Sequence, residues 1–343
     1  MPSAFNLPTG AARRVSPVHP GLVADIGGTN ARFAYVALPG GAIEHVRVLP
    51  VAAHAGPEAA VRAYLAEVQA LLGPAYQSPR RAAFALATTL AGDQVALTNG
   101  PWRFSRAELE RALGLDALLL LNDFEALALS LPQLQAGQLR QWPGIAARPL
   151  DGGTLAVIGP GTGLGVAAVV KTRQGWWPLP SEGGHVTLSA ADPFESDLLA
   201  WVRRDHAHVS AERLLSGLGL PLLHSAVAAL LGVSSKVLSP RQITELGLSG
   251  ECRVSSQTLD VFCALLGGFA GNVALTFDAR GGVFIGGGIV PRLGERFFSS
   301  EFRERFESKG RFRSFLQAIP TALITDTMVA LSGAALAIEQ GQG

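Results

Sequence analysis

Short continuous apolar runs, cut by glycine and proline, dominate the first third of the chain. They predict strands near 21–26, 32–38, 81–87, 94–98 and 117–121. Between them, apolar positions at helical spacing predict helices over 57–72 and 105–113, and a third helix starting at Asn122. Strands alternating with helices imply an α/β fold. Residues 131–153 read LPQLQAGQLRQWPGIAARPLDGG, where Pro, Gly and Gln replace any period. This is the expected crossing between two domains. The strand pattern restarts at 155–170. Further on, 261–277 sets Phe262, Leu266, Phe269, Val273 and Phe277 at helical spacing between Asp260 and Asp278. It falls short of the roughly 20 residues a membrane span needs, so it predicts a buried core helix. A last helical pattern, Met328 to Glu339, is expected to pack back on the N-terminal half.

One apolar run carries candidate chemistry. In LVADIGGTNARFAYV, at 22–36, a single acid, Asp25, sits in a strand that breaks at Gly27-Gly28-Thr29-Asn30 and then resumes. A β-hairpin accounts for this, with the acid satisfied by turn amides. So does a phosphate site, in which glycines let backbone N–H groups approach a phosphate while Asp25 faces its metal. The layout recurs in LAVIGPGTGLGVAAVV at 155–170: strand, Gly-Thr turn, strand. A third cluster, GGVFIGGGIVPRL at 281–293, sets a strand, a run of glycines and a helix start with Pro291 in its first turn. Copies this far apart are no solenoid. They fit two related α/β halves, each presenting a glycine turn to one cleft.

Composition narrows the function. With 343 residues, 48% hydrophobic and 16% charged, the chain supports one large or two medium packed domains and argues against disorder. Its formal net charge is +1 and its basic runs are short and scattered, which leaves no electrostatic footprint for nucleic acid or an anionic membrane. Cys252 and Cys263 are the only cysteines; they make no disulfide framework and no Cys-rich zinc site, and they fit a reducing cytoplasm. The start of the chain, MPSAFNLPTGAARRVSPVHPG, lacks a continuous apolar core and does not read as a signal peptide. A P-loop run is absent, residues 159–165 follow G-x-G-x-G-x-G rather than the Rossmann G-x-G-x-x-G, and no H-R-D or D-F-G occurs. Any phosphate loop here takes hairpin form.

Six stretches together resemble the bacterial glucokinases, of the hexokinase, actin and Hsp70 superfamily. They are Asp25-Ile26-Gly27-Gly28-Thr29-Asn30, Leu121-Asn122-Asp123-Phe124, Gly161-Thr162-Gly163-Leu164-Gly165, Glu182-Gly183-Gly184-His185, Glu212-Arg213-Leu214-Leu215-Ser216-Gly217 and Gly286-Gly287-Gly288-Ile289-Val290-Pro291-Arg292. They keep the family's order from residue 25 to residue 292. The resemblance implies a two-domain, actin-like (ribonuclease H-like) α/β fold with an interdomain cleft, the small domain spanning 15–133 plus 325–343 and the large domain 134–324. It implies ATP-dependent phosphorylation of glucose at the 6-hydroxyl, giving glucose 6-phosphate at the entry to glycolysis, by a cytoplasmic homodimer. Asn122 and Asp123 resemble the family's sugar-binding pair, with Asp123 the acid nearest the 6-hydroxyl. Glu182, His185 and Glu212 resemble the remaining hydroxyl ligands. Gly27, Gly28, Thr29 and Asn30, with Gly161, Thr162 and Gly163, resemble the phosphate clamp, and Gly286, Gly287 and Gly288 the glycines that make room for the nucleotide. Asp25 is expected to orient Mg²⁺ through water. Two departures stand out: Ala87-Thr88-Thr89-Leu90 lacks the family's usual proline, and Leu218 stands where a proline is common.

Read locally, several of these residues have a plainer use. Asn122-Asp123-Phe124-Glu125 has the form of a helix cap, with Glu125 three residues after Asn122. Cap and catalysis are compatible, since a capped helix start is a rigid platform for a base. Glu212 as a first-turn acid suits the helix dipole. The glycines between Glu182 and His185 let both side chains face one ligand, and carboxylate and imidazole suit hexose hydroxyls. Neighbouring expectations keep the machinery but change the substrate: another hexose, or polyphosphate as donor. A different class, a non-catalytic sugar-sensing regulator, would not need Asp123. Ligands drawn from both sides of the 131–153 crossing also predict a cleft that closes on sugar.

Overall fold

The computed structural model describes residues 19–37, 41–88, 90–145, 153–234 and 236–341. The N-terminal leader through residue 18, Thr89 and residues 146–152 of the expected crossing lie outside that set. The first part of the chain supplies β1 (Gly21–Ile26), β2 (Asn30–Val36), β3 (Ile43–Pro50), β4 (Arg81–Leu86), β5 (Gln94–Ala96), β6 (Arg103–Ser105) and β7 (Ala117–Asn122). Strands β3, β2 and β1 form an antiparallel meander, and β4 and β7 join β1 in parallel, giving the order β3-β2-β1-β4-β7. The short strands β5 and β6 pair in a ribbon of their own.

A second sheet repeats the plan. Strands β8 (Leu139–Gln141), β9 (Leu155–Pro160), β10 (Leu164–Thr172), β11 (Gly175–Ser181), β12 (Gly282–Ile285) and β13 (Thr321–Ile324) stand in the order β11-β10-β9-β12-β13-β8. Again there is an antiparallel meander of three strands, then two in parallel, with β8 added antiparallel at the edge. The two related halves expected from the glycine turns are therefore present as matching strand order and sense.

The strands read as unbroken apolar runs because both faces are covered. In β1, Leu22, Ala24 and Ile26 face the layer holding Tyr64 of the helix Pro57–Leu72, whereas Val23 faces the opposite way. That opposite layer is shared. It holds the helices Asp123–Ser130 and Val329–Gln340 and joins Val23, Ala83 and Ala85 of the first sheet to Val157, Ala167 and Phe284 of the second. The C-terminal helix thus packs on the N-terminal half, as its pattern predicts, and closes on the second sheet too. It crosses the helix Asp123–Ser130 so closely that a Cβ at Gly333 would overlap the Ala126 carbonyl. The second sheet's other face carries the core built around the helix Arg253–Phe277, where Phe262, Leu266 and Phe269 are buried.

Several elements differ from the pattern-based expectation. Strand 94–98 shortens to Gln94–Ala96. The helix expected over 261–277 begins at Arg253; its first turns bury small polar Ser255 and Thr258 alongside Leu259, so the apolar stripe there is too sparse to show. Residues 139–141 of the crossing are not a loose linker; they are an edge strand of the second sheet. Strand β3 escapes notice because it is a solvent-facing edge with Glu44, His45 and Arg47 in its run.

Candidate active site

Strand β7 ends at Asn122, and the helix Asp123–Ser130 starts at once. The turn is fixed by a reciprocal cap. Asn122 Oδ1 accepts from the Phe124 N–H at 2.9 Å, and Glu125 Oε2 accepts from the Asn122 N–H at 2.7 Å. Asn122 Nδ2 also donates to the Thr88 carbonyl at 3.2 Å. The capping is done by Asn122, so Asp123 is released for other work. Its Oδ1 accepts from the Phe124 N–H at 3.0 Å, and the backbone N–H groups of Phe124 and Asp123 offset part of the cost of burying the carboxyl. Burial dominates, the negative charge of Asp25 adds to it, and the Asp123 carboxyl is pushed up to about 6. At neutral pH it is an ionised acid with real proton affinity.

Asp25 and Gly27-Gly28 form a hairpin turn, so the local reading of the opening stretch is right about geometry. Turn amides do not hold the acid, however. Asp25 Oδ2 accepts from Arg32 Nη1 at 2.7 Å, and Asp25 and Arg32 are directly opposed on β1 and β2. Burial pushes the Asp25 carboxyl up while Arg32 pulls it back. The Gly27 N–H donates to the Asn30 carbonyl at 3.0 Å. Gly28 has a steric reason to be glycine: a Cβ there would overlap the backbone carbonyl of Asn99.

Across the gap, β9 and β10 carry the second turn, where the Gly161 N–H donates to the Gly163 carbonyl at 2.8 Å. Glu212 sits in the first turn of the short helix Ala211–Leu214, which Ser210 caps. Its Oε2 accepts from the Leu164 N–H at 2.8 Å, and a Cβ at Gly163 would overlap that carboxylate. His185 Nε2 lies 3.8 Å from Glu212 Oε1. The pairing of the Ala211 N–H with the Val186 carbonyl at 2.9 Å brings the Glu182–His185 segment beside Glu212. The Gly217 N–H donates to the Gly161 carbonyl at 2.8 Å, tying the chain just after the Glu212 helix to the turn.

These pieces line one cleft of about 660 Å³. From the first sheet come Gly27, Gly28, Thr29, Asn122 and Asp123; from the second come Gly161, Thr162, Gly163, Glu182, His185, Glu212 and Gly287. Of the expected site residues, Asn30, Gly286 and Gly288 are not in its lining, and Asp25 lies behind the turn, paired with Arg32. The cleft opens at the carboxyl ends of β1, β7 and β9, where ligands of open α/β sheets bind.

A family model described as Glucokinase matches residues 22–341. The chain belongs to the glucokinase family. It is 47% identical over 336 residues to a glucokinase of Aromatoleum aromaticum, covering 97% of each chain. It is 49% identical over 315 residues to a glucokinase of Paramagnetospirillum magneticum, covering 92% of this chain and 96% of that one. Among solved structures, a glucokinase from an Antarctic psychrotroph superposes with a TM-score of 0.86 at 39% identity, covering 95% of this chain and all (100%) of the other. The glucokinase of Balamuthia mandrillaris shares the fold, with a TM-score of 0.72 at 21% identity over 95% of each chain. The enzyme is a glucokinase-type sugar kinase with mixed α/β sheets.

Among the further lining residues of this glucokinase-family cleft that were not expected as site residues are Thr88, Thr98, Asn99 and Phe124. Thr88 Oγ1 donates to the Ala96 carbonyl at 2.8 Å and receives Thr98 Oγ1 at 3.2 Å. Because Thr88 O also receives Asn122 Nδ2, this pair braces Asn122. The signal for Asn99 was present in Asn99-Gly100, a turn dipeptide between β5 and β6. For Phe124 no periodic signal exists, since its partners are glycines on another sheet. At the second departure, the Leu218 N–H stands 3.5 Å from the Thr162 carbonyl, at the outer limit of a hydrogen bond, so the N–H that proline lacks adds little.

Proposed function

We propose that this chain transfers the γ-phosphoryl of ATP to the 6-hydroxyl of glucose, giving glucose 6-phosphate and ADP, with Asp123 as general base. The observation that carries the reading is one cleft in which a partly buried acid from the first sheet shares the lining with Glu182, His185 and Glu212 from the second. Glu182, His185, Glu212 and Asn122 bind the sugar hydroxyls, each by directed donation or acceptance. Asp123 takes the proton from the 6-hydroxyl as its oxygen bonds to the γ-phosphorus and the bond to the bridging oxygen of ADP breaks. Phosphoryl transfer asks for position and charge stabilisation more than for covalent help. Amides of the turns at 27–30 and 161–163 supply part of that, in concave backbone that suits anions.

Mg²⁺ fits the residues present. Two partly buried carboxylates, Asp123 in the cleft lining and Asp25 behind the first turn, add their charge there, and Arg32 offsets only one of them. Among the described residues no three His, Cys, Asp or Glu side chains gather as a cage. That suits a cation which keeps several waters and leans on substrate phosphates. Asp25 would hold it through water, and when bound it would neutralise phosphate charge.

The repeated sheet order supports a two-domain, actin-like arrangement, with 15–133 plus 325–343 moving against 134–324. The helices Asp123–Ser130 and Val329–Gln340 lie between the sheets as the hinge layer. Cys252 and the buried Cys263, both free thiols, suit the cytoplasm, where we place the enzyme as a homodimer. A coupled assay of ATP and of polyphosphate against a panel of hexoses tests the function. Glucose with ATP should give the highest kcat/KM. A preference for another sugar or donor would overturn that part, and no turnover with any would leave a sugar sensor.

A further inference from the structure

The catalytic carboxylate and the second glycine turn belong to different sheets, yet phosphoryl transfer needs them at a fixed distance. Phe124 spans the gap next to the acid. Phe124, immediately after Asp123, extends from the helix start onto the hairpin of β9 and β10 and lies over Gly159 and Gly165. Those two glycines are directly opposed on the two strands, so together they cut a slot one rung wide across the sheet. A Cβ on either would overlap the Phe124 ring: the far edge at Gly159, the near edge at Gly165. The slot lies next to the turn that begins at Gly161, and Leu164, between slot and turn, is held through its N–H by the sugar-side Glu212. At the other end, the Phe124 N–H is the donor that holds both Asn122 Oδ1 and Asp123 Oδ1.

We propose that Phe124, seated in the Gly159/Gly165 slot, is a positioning residue that sets the reach between the Asp123 carboxylate and the glycine turn at 161–163. Its backbone fixes the acid and its ring fixes the hairpin, so a displacement of either is passed to the other. A packed ring over two glycines admits no slack, because interiors are close-packed and respond to a single added methyl. Displacements of about 1 Å at a reacting pair can cost on the order of 10²-fold in rate. The start of the helix, and with it Asp123, is therefore tied to the second sheet by the ring as well as to the first sheet by the Asn122 cap.

The inference rests on Asp123 acting as base, and the experiment separates the two. Four variants are measured for kcat, for KM of glucose and ATP, and for thermal midpoint: Gly165→Ala, Phe124→Leu, their combination, and Asp123→Asn. Gly165→Ala should lower kcat by about 10²-fold with both KM values within a few-fold. Phe124→Leu, which empties the slot without crowding it, should lower kcat by roughly tenfold and move the acid limb of the kcat profile downward as water reaches Asp123. The combination, in which a smaller side chain meets the added methyl, should recover at least about tenfold over Gly165→Ala alone, a coupling that independent sites do not show. If Gly165→Ala fails to fold, Phe124→Leu still decides, through its kcat and pH limb. Additive losses, or losses that track the thermal midpoint with no move of the limb, would overturn the positioning role. Full activity in Asp123→Asn would instead overturn the base, and the positioning with it.

Discussion

The two hairpins that flank the cleft occupy matching places in matching sheets, yet they are furnished differently. In each, the rung one removed from the turn is the informative one. On β1 and β2 that rung is Asp25 opposite Arg32, a partly buried charged pair behind the turn. On β9 and β10 it is Gly159 opposite Gly165, a bare rung filled by Phe124 from the other sheet. The first hairpin brings charge to the site, the second brings room. Duplicated backbone therefore does not mean duplicated chemistry. One copy carries an ion-paired carboxylate, and the other accepts the ring that follows Asp123, while Glu212 presses against Gly163.

That division of labour can be broken from either side. The largest effect is expected at the acid. Asp123→Asn keeps shape but loses the proton acceptor, so kcat should fall by at least about 10²-fold while glucose still binds. Turnover within a few-fold of the parent would reduce Asp123 to a helix-start residue. Folding should not suffer. A carboxyl whose folded value is raised binds its proton more tightly in the native state, so its ionisation costs stability. That cost develops as pH rises from the ordinary carboxylate range to about 6 and is constant above. At neutral pH the amide should therefore be as stable as the parent or more so, read from denaturant midpoints.

Next in size is the second side. Glu182→Ala or His185→Ala should weaken glucose binding by roughly tenfold to a hundredfold, the cost of leaving buried hydroxyls unpaired, and should barely touch ATP. Isothermal titration with each ligand reads this directly, and equal losses for both would indicate damage to the fold instead. A pH profile sharpens the comparison further. Because Asp123 must be ionised to accept a proton, kcat should decline about tenfold per unit below pH about 6 in the parent, and Asp123→Asn should lack that limb. A parent limb that persists in the amide would move the base elsewhere. The smallest signal joins the two sides. Glucose held by both sheets should narrow the cleft and exclude water, lowering the radius of gyration in small-angle scattering and leaving sugar-free ATP hydrolysis negligible. An unchanged radius with brisk sugar-independent hydrolysis would rule out closure.

Much of this was legible in order along the chain. Helix 57–72 shows its full extent because an amphipathic stripe and Pro57 mark it locally. Asn122 and Glu125 announce the cap because a capping box is a contact between near neighbours. The glycine turns, and the likeness between their two copies, are short-range patterns of the same kind. Edge strand β3 and the strand at 139–141 were not legible, since exposed or brief strands carry no apolar run. The partner of Asp25 was visible as a letter, Arg32, but not as a contact, because only the register of β1 against β2 makes the two residues neighbours.

By itself, then, the sequence determined the local elements, the family likeness and the residue types that carry the chemistry, because each depends on contacts within a few residues. The tertiary structure alone decided that Gly159 and Gly165 form one rung and that a ring from the other sheet fills it. It also decided that burial beside Asp25 lifts the Asp123 carboxyl to about 6. Those outcomes depend on which distant segments meet and on how much water is excluded where they do, and neither quantity is a property of any stretch of chain taken alone.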